Sequence, residues 1–290
     1  MKKLIALALV FVLALAVFVG CGKEADEGDT TTKATVKGEP MTDDSDKTPD
    51  TPAPEATADV VYDDNGITIT VLGLEESFWG SEVKVKVANE TDKNVCLSTD
   101  DCIVNGITVG GMGLVEVPAG ETVTDGVCAF AVDLESAGIE TVGTISFPNA
   151  TIMNSDTFET LYATPFAITA DESYQQSIDD SGKVLFSDKG ITVQSRILKD
   201  DPNDEVVYLL IKNKTGKEIN VEGVDILVNG KEVESWLYDV VYADTVRYSD
   251  FTLSLADLGD AVETVEFSLI FIDDDYNTLA ETEKLTITVE

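Results

Sequence analysis

The chain has 290 residues, of which 43% are hydrophobic, and it carries 55 acidic against 19 basic side chains for a net charge of −36. A field of that sign repels nucleic-acid phosphates, so the composition excludes a nucleic-acid partner and favours simple solubility, divalent cations or a basic partner. The chain has no histidine, which excludes Ser-His-Asp and Cys-His nucleophiles, His-ligated zinc and the usual neutral-pH general base.

The N-terminus has the pattern of an export signal. A positive head, Met1-Lys2-Lys3, precedes an apolar run of 16 residues, 4–19. The run is shorter than the about 20 residues of a membrane-spanning helix, so we predict a signal peptide over 1–20. The end of the run resembles a bacterial lipoprotein signal with Cys21 as the lipid-modified residue, although Phe18 departs from the usual Leu. An uncleaved anchor is the alternative, and both place the remaining chain outside the cytoplasm.

Residues 21–58 follow the signal as a polar segment rich in Thr, Asp, Glu, Lys and Pro. Such a composition cannot bury enough apolar surface to offset ordering, so we predict a disordered linker. Its r.m.s. reach is on the order of 35 Å. A tether of this kind lifts a domain away from a membrane and suits a Gram-positive-type cell surface.

The rest of the chain contains one stretch twice. Residues 62–106 and 186–230 align without a gap at an offset of 124; for example, Val104-Asn105-Gly106 matches Val228-Asn229-Gly230. A period this long predicts a duplicated domain rather than a solenoid of short repeats. The domain boundaries predicted from this pattern are 59–170 for the first copy, 171–182 for a polar linker and 183–290 for the second copy.

The first copy consists of short segments in which apolar residues alternate with polar ones and turn residues intervene. About seven strands are predicted, at 66–74, 83–87, a pair within 102–109, 127–132, 144–147 and 165–169. Seven short strands with regular turns predict a β-sandwich. Two further segments, 133–139 and 255–260, are predicted to be short helical turns that cross the end of each sandwich.

The order of these motifs carries a resemblance. The Gly-Ile-Thr strand, the Val-x-Val-x-Val-x-Asn-x-Thr segment, the Val-Asn-Gly turn and the Leu…Gly…Glu-Thr-Val crossing resemble immunoglobulin-like extracellular domains of unknown function, which many bacterial surface lipoproteins carry. The resemblance covers both copies and the signal peptide. It implies an all-β chain of two tandem immunoglobulin-like β-sandwiches, without catalytic residues or cofactors.

Three cysteines lie in the first copy, at positions 96, 102 and 128. Export permits disulfides, and Cys102 and Cys128 both fall on inward-facing positions, so a Cys102–Cys128 bridge across the core is one interpretation. The other interpretation, which we favour, is three plain thiols, because the second copy repeats the pattern with no cysteine at all.

One acidic turn has the spacing of a calcium loop. Asp273, Asp275, Asn277 and Glu281 are spaced like oxygen ligands, but the central glycine of such loops is missing. Asp and Asn also favour ordinary turns, so a plain turn is the preferred interpretation and no metal is assigned.

Two places are candidates for partner contact. Phe78 and Trp79 lie in the first inter-strand loop, where an aromatic pair grips a sugar face or a protein, or else covers the core as a lid. In the second copy, Tyr208 and Leu210 take the outward places that Lys84 and Lys86 hold in the first. Such an apolar pair is packed either by the other domain or by a partner.

These observations lead to a function hypothesis: a non-enzymatic, lipid-anchored protein outside the cytoplasm that presents two domains to an unidentified protein or cell-envelope partner. Two alternatives remain. A solute-capturing lipoprotein predicts larger lobes with helical patterns, and a carboxylate-based surface hydrolase predicts a cleft of acids and aromatics within one copy.

Overall fold

A computed structural model describes residues 59–201, 204–233, 235–251 and 262–288, with side chains except at 197–201 and 204–207. This part of the chain is all-β, as predicted, with 22 strands and one short helix. No helix in it is long and apolar enough to cross a membrane. The predicted signal peptide, Cys21, the linker up to residue 58 and the predicted turn at 255–260 lie outside the described residues.

The first copy contains twelve strands and the helix. Their bounds are β1 (Asp59–Asp64), β2 (Ile67–Ser77), β3 (Gly80–Asn89), β4 (Val95–Thr99), β5 (Cys102–Val104), β6 (Ile107–Val109), β7 (Gly111–Val117), β8 (Thr122–Phe130), α1 (Ala131–Ser136), β9 (Thr144–Phe147), β10 (Thr151–Asn154), β11 (Thr160–Ala163) and β12 (Phe166–Thr169).

The described part of the second copy contributes ten strands. Their bounds are β13 (Val184–Asp188), β14 (Ile191–Asp201), β15 (Asp204–Asn213), β16 (Ile219–Val228), β17 (Lys231–Glu232), β18 (Tyr238–Val241), β19 (Val246–Asp250), β20 (Thr264–Asp273), β21 (Thr278–Glu281) and β22 (Leu285–Thr288).

The strands form three sheets, and the middle one runs through both copies. The first sheet has the order β1-β2-β3-β8-β7-β4-β10-β11, the second β12-β9-β5-β6-β19-β15-β14-β13, and the third β17-β16-β20-β21, with β18 beside β16 and β22 beside β20. The copies meet at β6 and β19, which pair in parallel with Val246 opposite Ile107. The other pairs described are antiparallel, for example β2 with β3.

Two hydrophobic cores lie between the sheets. Alternate side chains of β2 and β3 are fully buried, as the period-two pattern predicts, because successive residues of a strand point to opposite faces. One core contains residues from Ile67 to Phe166 together with Leu210 and Val246 of the second copy. The other core is built only from residues of the second copy, between Ile191 and Ile287.

The strand prediction for the first copy was incomplete. Five strands were missed, namely β1, β4, β7, β10 and β11. In β4, three consecutive residues, Val95, Cys96 and Leu97, are buried, so the alternation that marks a half-buried strand is absent. The predicted strand 127–132 is also two residues too long, because Ala131 and Val132 belong to α1.

A buried asparagine holds the same turn in each copy. Asn89 Nδ2 donates to three backbone carbonyls at 2.8–3.1 Å, those of Lys93, Val117 and Pro118. Asn213 Nδ2 donates at 2.7–3.1 Å to the carbonyls at the matching positions of the second copy, those of Lys217, Val241 and Tyr242. The amide oxygen of each asparagine accepts from the threonine two residues further on. The sequence repeat is therefore also a repeat of hydrogen bonds.

The segment 171–182, predicted to be a polar linker, lies against the strands of the second copy. Gln194 Nε2 donates to the carbonyls of Asp180 and Gly182 at 2.9 and 3.2 Å. Lys212 pairs with the Asp180 carboxylate at 3.0 Å. At its other end Gln176 Nε2 donates to the Gly138 carbonyl at 3.1 Å. The linker is thus fastened to both copies.

Candidate functional site

Phe78 and Trp79 form an exposed aromatic pair at the turn between β2 and β3. Their exposed fractions are 89% and 66%, so neither ring covers the core, and the lid interpretation is wrong. The two rings contact each other edge to face, with centroids 5.2 Å apart. These two side chains are called the aromatic tip below.

The backbone of the aromatic tip is fixed by local hydrogen bonds. Ser77 Oγ donates to the Gly80 carbonyl at 3.1 Å and accepts from the Trp79 N–H at 3.2 Å. The Trp79 carbonyl accepts from the Ala131 N–H at 2.8 Å, which ties the hairpin to the start of α1. At Gly80, φ is +137°, and a Cβ there would lie 2.1 Å from the Ala129 carbonyl oxygen. Only glycine fits this close approach.

A groove of about 670 Å³ lies beside the aromatic tip, between the β2–β3 hairpin and α1. Its lining includes apolar side chains, among them Leu134 and Ile139, which are buried, and Leu74 and Val142, which are partly buried. Three exposed glutamates also line it, namely Glu76, Glu135 and Glu140. The part of the lining that the structure describes contains no basic side chain.

The structure places Tyr208 and Leu210 at the junction of the two copies. Leu210 is 1% exposed and belongs to the core of the first copy, so its prediction as a contact for an outside partner is wrong. It has that position because β15 buries both faces, with Leu209 and Ile211 in the other core. The Tyr208 hydroxyl lies 3.3 Å from Ser136 Oγ on α1. Of the two interpretations, packing by the other domain is the one observed.

A cluster of charged groups crosses the same junction. Arg247 on β19 pairs with Asp101 of the first copy and, at 2.8 Å, with Asp239 of the second. The Arg247 guanidinium also donates to the Val240 carbonyl at 3.1 Å. The Arg247 side chain is 12% exposed. Asp133 on α1 accepts from the Gly110 N–H at 2.6 Å and adds a further carboxylate close to the arginine.

Burial sets the protonation behaviour of this cluster. It raises the pKa of Asp133 and of Asp239 above the ordinary aspartate value, against the opposing effect of Arg247. Burial also acts to lower the pKa of Arg247, but Asp239 and Asp101 outweigh it, so the pKa of the guanidinium rises. The arrangement is an ion-pair network that joins the copies, in which the carboxylates of Asp101, Asp239 and Asp133 surround the single cation of Arg247.

The predicted calcium residues fall at the β20–β21 turn. Asp273 Oδ1 accepts from the backbone N–H groups of Asp275 and Asn277 at 3.1 and 2.8 Å, and these hydrogen bonds hold the Asp273 pKa below its usual range. Lys217 Nζ lies 3.6–3.7 Å from the carboxylates of Asp273, Asp274 and Asp275.

This arrangement is what the plain-turn interpretation predicts. The lysine ammonium supplies the positive charge that the carboxylates require, and Asp273 closes its own turn. The fourth predicted ligand, Glu281, lies on β21 opposite Ile270, away from the close-set carboxylates of Asp273, Asp274 and Asp275.

The cysteines of the described region are free thiols. Cys96, Cys102 and Cys128 are all buried, and no bridge joins Cys102 to Cys128 in this structure. Burial raises the pKa of each of the three thiols. The Cys128 thiol donates to the Met112 carbonyl at 3.5 Å. The plain-thiol interpretation is therefore the one that the structure contains. Cys21, the predicted lipidation residue, lies outside the described residues.

Sequence reasoning missed the charged junction and the groove. Arg247 and Asp101 are 146 positions apart, and no local pattern links them. The signal that could have found them is the rarity of arginine in this acidic chain, which has only Arg196 and Arg247, since a buried arginine requires carboxylate partners. The groove glutamates belong to separate segments, and only the fold brings them together.

Comparison with known proteins finds only weak similarity, and only to solved structures. No protein-family model and no curated protein matches the chain. Among solved structures, the chain is similar to the YadV chaperone, with 9% identity and a TM-score of 0.25 over 77% of this chain and 100% of that one. It is also similar to the exo-chitosanase CsxA of Amycolatopsis orientalis, with 10% identity and a TM-score of 0.23, over 74% of this chain and 26% of that one. Scores this low carry no argument about fold or function.

Proposed function

We propose that this chain is a non-enzymatic, lipid-anchored protein of a Gram-positive-type cell surface, which presents two immunoglobulin-like domains to a protein or cell-envelope partner. The lipid anchor would be attached at Cys21, and residues 21–58 would act as the tether. The proposed domains are the copies at 59–170 and 183–290. The first copy would carry the partner-contact surface.

The observation that carries this proposal is the aromatic tip. Large aromatic side chains are costly to leave in water, and exposed ones concentrate at binding surfaces. Phe78 and Trp79 lie on a hairpin whose turn is fixed by three hydrogen bonds. A contact surface that is rigid before binding loses little entropy when a partner arrives.

The immunoglobulin-like architecture is supported by the repeated hydrogen bonds. Asn89 and Asn213 make the same set of contacts, and Asn105 and Asn229 each accept from two consecutive backbone N–H groups at the starts of β9 and β20, respectively. Duplicated side-chain networks of this kind support a duplicated domain.

The non-enzymatic part of the proposal is supported by the charged junction. Three described acids have raised pKa values. Asp133 and Asp239 are engaged with a backbone N–H group and with Arg247, and Asp100 accepts from the Tyr242 hydroxyl at 3.3 Å. Perturbed carboxylates also occur in structural ion-pair networks, and their sharing between the two copies favours that role. The hydrolase alternative requires a cleft of acids and aromatics within one copy, whereas Asp133 and Asp239 belong to different copies.

The test is lipid attachment and exposure on intact bacterial cells that express the full chain. We expect a labelled fatty acid to be incorporated into the wild-type chain and not into Cys21→Ser, and added protease to digest the wild-type chain on unbroken cells. The Cys21→Ser chain should be released or remain unlabelled. Label retained by Cys21→Ser, or a wild-type chain protected from protease until the cells are broken, would overturn the proposal.

A further inference from the structure

We infer that the groove between the β2–β3 hairpin and α1, together with the aromatic tip, binds a basic, partly apolar segment of a partner protein. This inference rests on the proposed function and names the chemistry of the partner. It would place apolar side chains of the partner on the groove floor, and lysine or arginine side chains against the glutamate rim and the tryptophan ring.

The floor of the groove is apolar. Leu134 and Ile139 are 7% and 8% exposed, and they line the groove beside the partly buried Leu74 and Val142. A volume of about 670 Å³ lies within the usual range for ligand pockets, roughly 300–1,000 Å³. Apolar side chains that enter such a groove are removed from water, and each contributes to affinity in proportion to the area buried.

The rim of the groove is negatively charged. Glu76, Glu135 and Glu140 all line the groove, and they come from β2, from α1 and from the segment after it. Ser81 Oγ donates to Glu76 Oε1 at 3.1 Å, which holds that carboxylate at the groove. The nearest lysine on β3, Lys84, is paired with Glu82. The groove is therefore complementary to a cation, and charges of like sign on a partner would be rejected.

The aromatic tip lies beside the groove in the chain. The Trp79 carbonyl accepts from the N–H of Ala131, the first residue of α1, and both Ala131 and Gly80 line the groove, so the Trp79 backbone adjoins the lining although its side chain is not part of it. An arginine or lysine over the face of a tryptophan is attracted by the negative face of the ring. The tip thus favours the same partner chemistry as the rim.

The neighbouring surface of the second copy provides a comparison. Trp236 is 65% exposed, about as much as Trp79, and each tryptophan is next in the chain to a residue that lines a pocket, Ser235 and Gly80 respectively. The pocket nearest to it in sequence, which includes Ser235, contains Lys284 as well as acids. Exposure of a tryptophan is therefore shared by both copies, whereas the acidic groove belongs to the first copy.

The experiment measures binding of two short peptides to the full-length chain in detergent micelles, by fluorescence anisotropy. One peptide alternates leucine with arginine, and its partner has glutamate in place of every arginine. We expect saturable binding of the basic peptide, weaker at higher salt, and no binding of the acidic peptide. Equal binding of both peptides, or binding of neither, would overturn the inference.

Two pairs of variants distinguish binding at the groove from attraction to the overall negative charge of the chain. Trp79→Ala should weaken binding about tenfold, whereas Trp236→Ala should not change it. The triple variant Glu76→Gln, Glu135→Gln, Glu140→Gln should also weaken binding about tenfold. Its control, Glu232→Gln, Glu263→Gln, Glu281→Gln, removes the same charge from the second copy and should have less than about a twofold effect.

If both triple variants weaken binding equally, the peptide responds only to net charge and the inference is wrong. Thermal denaturation of every variant checks that the fold is kept, which we expect since the changed side chains are exposed. Preferential binding of a neutral oligosaccharide that Trp79→Ala abolishes would instead assign the tip to sugar recognition. The lipid-attachment test is independent, because a chain that is anchored yet fails to bind the basic peptide refutes this inference alone.

Discussion

At the scale of single residues, buried polar groups hold this fold at a few fixed points. Asn89 and Asn213 each satisfy three carbonyls with one side-chain amide. The carbonyls lie at or near the ends of strands, and those of Pro118 and Tyr242 also accept from the backbone N–H groups of Glu121 and Thr245. A buried carbonyl that loses its donor costs about 1–3 kcal/mol. The asparagine therefore adds side-chain hydrogen bonds to those that the turn makes for itself.

We expect Asn213→Ala to lower the free energy of unfolding by about 3 kcal/mol, since it removes donors from buried carbonyls and an acceptor from Thr215. Asn89→Ala should have a similar effect. Urea denaturation followed by circular dichroism measures both. The control is Asn149→Ala, an exposed asparagine with one hydrogen bond to Glu218. Equal midpoints for Asn213→Ala and Asn149→Ala would contradict the prediction.

A second residue-scale prediction concerns pH. Burial raises the folded-state pKa of Asp133 and Asp239, while unfolded aspartates titrate near about 3.9. The folded chain thus holds these protons more tightly. The resulting stabilisation is fully present below the unfolded value and is lost as pH rises through the folded value.

Asp133→Asn removes one of these titrations and keeps an oxygen that can accept from the Gly110 N–H. We therefore expect the unfolding free energy of this variant to fall less between pH 4 and pH 7 than that of the wild type. Urea titrations at several pH values provide the measurement. Asp244→Asn, at an exposed position of the second copy, is the control and should retain the wild-type profile. If the unfolding free energy of Asp133→Asn fell with pH as steeply as that of the wild type, titration of Asp133 would not contribute to the pH dependence of stability.

At the scale of elements, β15 is the strand that binds the copies together, because it is buried on both faces. Its odd positions Leu209 and Ile211 belong to one core, and Leu210 belongs to the other. The sequence pattern predicted that Tyr208 and Leu210 form an apolar pair on the outward face of this strand. It did not determine whether the other domain or a partner covers them. A single-strand pattern reports that a face is apolar, but not which distant segment packs against it.

Leu210→Ala should therefore destabilise the protein by about 2–5 kcal/mol, the usual cost of a large cavity in a packed core. The matched control is Leu114→Ala on β7, where the leucine is 53% exposed and the change should stay within about 0.5 kcal/mol. Thermal unfolding with near-ultraviolet circular dichroism measures both. A loss for Leu210→Ala no larger than that for Leu114→Ala would mean that β15 does not depend on the first core.

The elements also show how far local pattern predicts structure. The alternating strands β2, β3 and β9, the Asn105-Gly106 hairpin and α1 were predicted from period and turn residues. Of the strands that were missed, β4 is buried on consecutive positions, and β10 and β11 bury one side chain and none. The burial of β7 does alternate, but its exposed positions include Met112 and Leu114, so its sequence is apolar on both faces. The groove depends on Glu76, Glu135 and Glu140 meeting in space, which only the fold determines.

At the scale of the whole described molecule, the two copies share one eight-stranded sheet and one network of charges. The parallel pairing of β6 with β19 is accompanied by a hydrogen bond of 2.7 Å between Thr108 Oγ1 and Thr245 Oγ1. Tyr242 of the second copy donates its hydroxyl to the Asp101 carbonyl at 2.9 Å. Contacts of this kind couple the stability of each copy to that of the other.

We expect the two copies to unfold in one transition. Hydrogen exchange by mass spectrometry in increasing urea should give the same denaturant dependence for core peptides of β3 and of β20, because opening either core exposes part of the junction. In Arg247→Met, which lacks the central cation of the junction, the core peptides of β3 and β20 should instead show different dependences of hydrogen exchange on urea. Distinct transitions in the wild-type chain would show that the copies are energetically independent.

The shared sheet also limits how the duplicated chain can be divided. A cut within 171–182 would leave β6 as a bare sheet edge, and would open the hydrophobic patch that Leu210 and Val246 now fill. Open strand edges and exposed apolar surface are templates for aggregation. We therefore expect either half, produced alone, to expose this edge and patch and to aggregate more readily than the whole described region.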